Sequence, residues 1–110
     1  METKNIFDPG TKFRFPESVE YSTDGIVSKR VIDRSVGTVT LFAFDKGQRL
    51  STHSAPFDAM AQVIEGRAEI VIDNIPHDLG AGDTIVMPAG IPHAVNATER
   101  FKMILTMIKG

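Results

Sequence analysis

The chain has 110 residues, 42% of them apolar, with a formal net charge of −2 and no cysteine. That is apolar material for one core and too little length for a second, so residues 1–110 are expected to form a single domain. Without a basic run there is no footprint for nucleic acid, and without thiols there is no disulfide, zinc–cysteine site or cysteine nucleophile.

Residues 1–8 hold no apolar stretch of signal-peptide length, and no apolar run approaches a bilayer span. A soluble, cytoplasmic protein without a membrane partner is the expectation. Lys29-Arg30 is an isolated cationic pair, read as solvated or ion-paired.

No segment sustains a 3.6-residue period, and short apolar runs are punctuated by Gly, Pro, Asp and Asn. Asp8-Pro9-Gly10 reads as a turn. Phe13 and Phe15 alternate with Arg14 before Pro16, an edge-like extended piece. A strand is expected over residues 25–32, broken at Asp33-Arg34-Ser35. The next covers residues 36–44, with Val39, Leu41 and Ala43 on one face and Thr38, Thr40, Phe42 and Phe44 on the other. Both faces carry apolar groups, so both call for cover. Residues 59–64 form a strand ending at Glu65-Gly66, and residues 67–72 are read as its partner. Asp73-Asn74 is a tight hairpin. Residues 84–87 are a strand stopped by the Pro88-to-Pro92 corner. Residues 93–97 continue it, and residues 101–108 close the chain. This pattern alone gives an antiparallel all-β barrel or sandwich.

Two motifs lie within it. From Gly82 the chain reads Gly-Asp-Thr-Ile-Val-Met-Pro-Ala-Gly-Ile-Pro-His-Ala-Val-Asn, ending at Asn96. Upstream, Gly47, His53 and Gly66 hold the spacing of a partner motif, with Ala55 and Ala59 between them. Together they resemble the two signature motifs of the cupin superfamily, small jelly-roll barrels built as a double-stranded β-helix. The first motif of metal-binding cupins has His-x-His and a Glu between its glycines. By that resemblance His53 and His93 stand at metal-ligand positions, while the second and third ligand positions hold Ala55 and Ala59. Asn96 is one residue nearer to His93 than in the usual second motif. The resemblance also implies a homodimer to which N-terminal strands contribute, here residues 12–32.

Two imidazoles hold a divalent metal only in the neutral form, and catalytic sites ordinarily use three protein ligands. His53 and His93 are therefore either ligands of one weakly held Zn, Ni, Mn or Fe ion or polar groups at the cavity mouth. Asp58 and Gln62 are the polar groups nearest to Ala59, but both are off its parity on an extended strand. Asp83 is expected to accept backbone hydrogen bonds at its turn, and His77 to lie on the surface. The alanines free space at the barrel centre, suited to a small, partly apolar ligand. Phe57, Met60, Met87, Ile91, Phe101 and Met103 are candidate liners, or ordinary core. Ser54 follows His53 directly, and nothing orients the two as a nucleophile and base. The leading function is a small-molecule-binding protein with at most a two-histidine metal site. The alternative is a metal-dependent dioxygenase, isomerase or lyase acting on a small organic or sugar-like substrate.

Overall fold

The computed structural model describes residues 7–109. Eight strands follow a short 3-10 helix at Phe15–Glu17: β1 (Ile26–Arg34), β2 (Gly37–Phe44), β3 (Arg49–His53), β4 (Asp58–Ile72), β5 (Ile75–Gly80), β6 (Thr84–Met87), β7 (His93–Asn96) and β8 (Phe101–Ile108). All pairings are antiparallel, in the order β1-β2-β8-β4-β7-β3, with β5 and β6 also on β4. The sheet curls on itself as the jelly-roll expected from the sequence. Among the described residues no helix is long and apolar enough to cross a membrane.

The 15-residue β4 joins the two layers. Its first half pairs with β6 and β8, and its second half with β5 and β7. Residues 59–64 and 67–72 are thus one bent strand and not a hairpin. The bend falls at Gly66 (φ +79), just past a register shift between Val63 and Glu65. A glycine in the left-handed region serves a bulge as well as a turn, and here it bends without reversing. The true hairpin is Asp73-Asn74, with φ of +51 and +65 at its two central residues, the primed geometry that matches strand twist.

Alternation along the strands builds two apolar layers. Inside the barrel, Ala59, Ala61, Val63, Ala68, Ile70, Met87, Val95 and Met103 pack with Phe44 stacked on Phe101 at 4.6 Å. Outside, Leu41, Ala43 and Ile104 form a second cluster with Val19, joined by Phe15, Tyr21 and Val39. Both faces of β2 are covered, as its sequence calls for, but the outer cover comes from the chain's own N-terminal segment. The expected extended piece stays extended at Arg14 and gives way at Phe15 to the helical turn, because Pro16 sits in its first turn, where the missing N–H is harmless.

Polar groups fasten this segment. Lys102, 7% exposed, donates to the Pro16 carbonyl at 2.6 Å and pairs with Glu65 at 3.4 Å. The Tyr21 hydroxyl donates to Glu65, and Arg100 lies 4.5 Å over the Tyr21 ring. Burial and the Glu65 carboxylate raise the Tyr21 phenol well above its ordinary range. Strand β1 runs through Arg34, two residues beyond the expected break, because Asp33 and Arg34 still pair with Thr38 and Gly37.

Candidate functional site

His53 ends β3 and His93 begins β7, and the two are cross-strand partners. A register shift between Leu50 and His53 turns the His53 side chain to the side of its partner. The rings stand edge to face, with centroids 4.4 Å apart and planes at 66°. The Nδ1 of His53 lies 2.8 Å from the Ser51 carbonyl, and that of His93 lies 3.2 Å from the Ile91 carbonyl. A carbonyl only accepts, so in the neutral rings each Nδ1 carries the proton and each Nε2 is left with a lone pair. A carbonyl on one ring nitrogen fixes the tautomer and the ring orientation, and leaves the other nitrogen to bind a metal or a hydrogen-bond donor.

His93 is buried and His53 exposed. Burial holds the His93 pKa below its ordinary value of 6.5, and a charge on His53 lowers it further, against the Ile91 carbonyl. His93 therefore contributes its full share of stability above pH 6.5, where it is neutral in both states, and that share is lost as pH falls through the depressed folded-state pKa. Urea melts at pH 7.5 and 5.0 are expected to give a lower midpoint at the acid value. The gap should narrow in His93→Gln, and equal narrowing in His77→Gln would assign the effect elsewhere.

The corner between β6 and β7 is tied to the β3–β4 loop. Gly90 N–H donates to the Ala55 carbonyl at 2.7 Å, and Ala89 N–H donates to Asp58 Oδ1 at 2.8 Å. Asp58 is an exposed loop fastener. The same ties hold the start of β4, next to Ala59, against the corner that leads from Met87 to His93. At the other end, Asp83 Oδ2 accepts the Gly80 N–H at 2.9 Å, the backbone role expected of it.

Ala59 faces the interior, with Met87 across from it on β6 and Met107 on β8. Met60 and Gln62 alternate to the outer face of β4, next to Val86 and Thr84, and do not line the interior. Phe101 and Met103 are fully buried core, and Met87 is nearly so. Phe57 and Ile91 are half-buried in the loops at the histidine end. His77 is half-buried on β5 beside Ile70, where the surface was expected. Met107 was missed because its place beside Ala59 depends on the β4–β8 register, which no local pattern announces.

The four-ligand centre implied by the motifs does not fit these residues. The mouth supplies two imidazole nitrogens, and Ala55 and Ala59 supply methyl groups. Among the described residues no three His, Cys, Asp or Glu side chains are grouped to hold a metal. Two cavities are lined by residues other than the pair. One of about 160 Å³ is lined by Arg49, Ser51, Val71 and Ala94. The other, about 460 Å³, lies between Phe7, Phe13 and Phe15 and the β1–β2 residues Val31 and Val39.

The cupin domain family model matches residues 40–109. A conserved protein of unknown function from Streptococcus pyogenes is 38% identical, with a TM-score of 0.90 over 100% of this chain and 96% of its own. A cupin 2 conserved barrel domain protein from Leptotrichia buccalis is 41% identical, with a TM-score of 0.86 over 88% of this chain, and the match spans 47% of that longer chain. A cupin superfamily protein from Desulfitobacterium hafniense shares the fold at 23% identity, with a TM-score of 0.86 over 100% of both chains. No curated protein matches the sequence.

Proposed function

This chain belongs to the cupin superfamily, and from that premise we propose that it binds a small, partly apolar molecule at the barrel mouth through His53 and His93. The observation that carries the reading is the imidazole pair itself. Its two Nε2 atoms are acceptors in the neutral rings, and its two Nδ1 atoms are held by backbone carbonyls. The motif positions that carry ligands in metal-binding cupins hold the methyl groups of Ala55 and Ala59. Such a mouth favours a ligand with hydrogen-bond donors on an apolar body. A divalent Zn, Ni, Mn or Fe ion has only these two nitrogens here, and water fills the rest of its sphere without preorganisation, so it is held weakly.

Elemental analysis of tag-free protein, followed by calorimetric titration with Zn²⁺, tests the metal half. Substoichiometric metal is expected, with weak binding that His53→Ala/His93→Ala abolishes. One tightly held equivalent would favour the metal-dependent enzyme reading instead. A fragment library followed by two-dimensional NMR tests the ligand half, with the largest shifts expected at His53 and His93. Hits confined to the two outer cavities would overturn it.

We also propose a homodimer, built on the free edge of β1. The outer face of β2 is covered within the chain, so it no longer calls for a partner. The nine-residue β1 is an edge strand, and Ile32, Val36 and Ile108 are each more than half exposed near its far end. A nine-residue edge offers backbone for strand pairing, and a partner there would cover the apolar groups at its far end, while Lys29 and Arg30 tell against close pairing along its middle. Sedimentation equilibrium is expected to give twice 12.0 kDa at micromolar protein. A Val36→Lys/Ile32→Lys variant should shift the mass to the monomer, and a wild-type monomer would remove the proposal.

A further inference from the structure

Leu50 pairs with Val95 and His53 with His93, so Ser51 and Thr52 together stand opposite Ala94 alone. Two residues against one make a β-bulge, which bends its strand and interrupts the ladder. Strand β3 ends the sheet order, so no further strand pairs along its other side. Val95 and Ile70 face the interior, and Ala94, Asn96 and Val71 alternate to the outer face. There, beside the bulge, lies the cavity of about 160 Å³, with Val71 and Ala94 as apolar lining and Arg49, Ser51, Thr52 and Asn96 as polar lining. Arg49 is the one charged residue among these. Among the described residues its exposed guanidinium makes no ion pair or hydrogen bond, and neither the Ser51 nor the Thr52 hydroxyl is paired. Glu69, the cross-strand partner of Asn96, accepts from the Asn96 amide at 2.9 Å and is not in the lining.

From this juxtaposition we propose that the bulge cavity binds a small carboxylate. The planar guanidinium of Arg49 presents a fork of N–H donors that matches a carboxylate with two parallel bonds. The Ser51 and Thr52 hydroxyls are further donors for its oxygens. Val71 and Ala94 offer apolar surface to a short alkyl body, which a phosphate or sulfate lacks. The volume limits that body: clefts for drug-sized ligands hold about 300–1,000 Å³, and this one is smaller. The occupant is therefore an acid of a few carbons. Neither His53 nor His93 is in the lining, so the site does not depend on the ligand proposed for the mouth.

The test is a two-dimensional NMR titration of the full chain with sodium acetate, with sodium chloride lowered in step to hold the ionic strength. The samples are wild type, Arg49→Gln, Ala94→Leu and Arg34→Gln. Arg49→Gln removes the fork at an exposed position, and Ala94→Leu fills the hollow while leaving Arg49 in place. Arg34→Gln removes the same charge from an exposed site outside this lining. Circular dichroism checks each fold, and Arg49→Gln decides alone if the leucine disturbs the strand. Expected in the wild type are saturable shifts at the amides of Ser51, Thr52, Ala94 and Asn96. Arg49→Gln and Ala94→Leu should each lose at least tenfold in affinity, and Arg34→Gln should match wild type. Shifts that never saturate, an unchanged affinity in Arg49→Gln, or an equal loss in Arg34→Gln would overturn the proposal. So would inorganic phosphate binding more tightly than acetate. Acetate shifts confined to His53 and His93 would overturn it too, and would place the acid at the mouth.

Discussion

Gly66→Ala is expected to destabilise the protein by more than about 3 kcal/mol, a large part of the stability of a domain this size. Two effects add. The backbone at Gly66 has φ +79, where a β-carbon costs about 1–2 kcal/mol. A β-carbon there would also stand 2.0 Å from the Arg100 carbonyl oxygen and 2.8 Å from the Phe101 Cα. Those atoms are main chain and have no rotamer to escape into. Relief requires moving β8 away from the bend in β4, which disturbs Phe101 and its stack on Phe44. Gly82→Ala is the control: its φ is +96, but nothing lies within 4 Å of the added carbon. It should lose only the conformational part, about 1–2 kcal/mol. Chemical denaturation of both variants checks the difference, and equal losses would mean that the close approach to Arg100 is absent in solution.

This glycine shows where sequence reading succeeds and where it stops. Its spacing from Gly47 and His53 belongs to a motif, and the motif carried the fold. Whether a left-handed glycine bends a strand or reverses it depends on what pairs with the residues on either side. Here Arg67–Gly80 pairing with β5 and Glu69–Asn96 pairing with β7 decide for the bend. Local chemistry did mark the Asp73-Asn74 turn and the two apolar faces of β2, because each is written within a few residues. The N-terminal cover was not legible in the same way. Its fasteners join Tyr21 to Glu65 and Pro16 to Lys102, across 44 and 86 positions. The same limit applies at the site. Parity put Asp58 and Gln62 off the line of Ala59, and the register places Gln62 on the outer face. Met60 shares the parity of Gln62 and lies outside with it. Met107 joins the interior beside Ala59 only through the β4–β8 pairing.

The largest functional change is expected from restoring the two absent ligands, Ala55→His with Ala59→Glu. Zn²⁺ affinity should rise by at least a hundredfold over the wild type, because two protein donors join the two imidazoles and complete a four-ligand set. The metal-free double variant should be less stable than wild type. Ala59 is 2% exposed between Met87 and Met107, so the larger side chain overpacks the mouth by about 1–3 kcal/mol. Its carboxylate, without a cation, adds a desolvation penalty. Metal should then return more stability than it gives the wild type, since a ligand at 1,000 times its Kd contributes about 4 kcal/mol to the folded state. The signature is a melting temperature that depends steeply on Zn²⁺ in the variant and hardly at all in the wild type. Position 55 tolerates the change locally: its carbonyl holds Gly90 N–H through the backbone, which a side-chain substitution leaves in place. If the variant folds and its affinity stays at the wild-type level, positions 55 and 59 do not converge on His53 and His93.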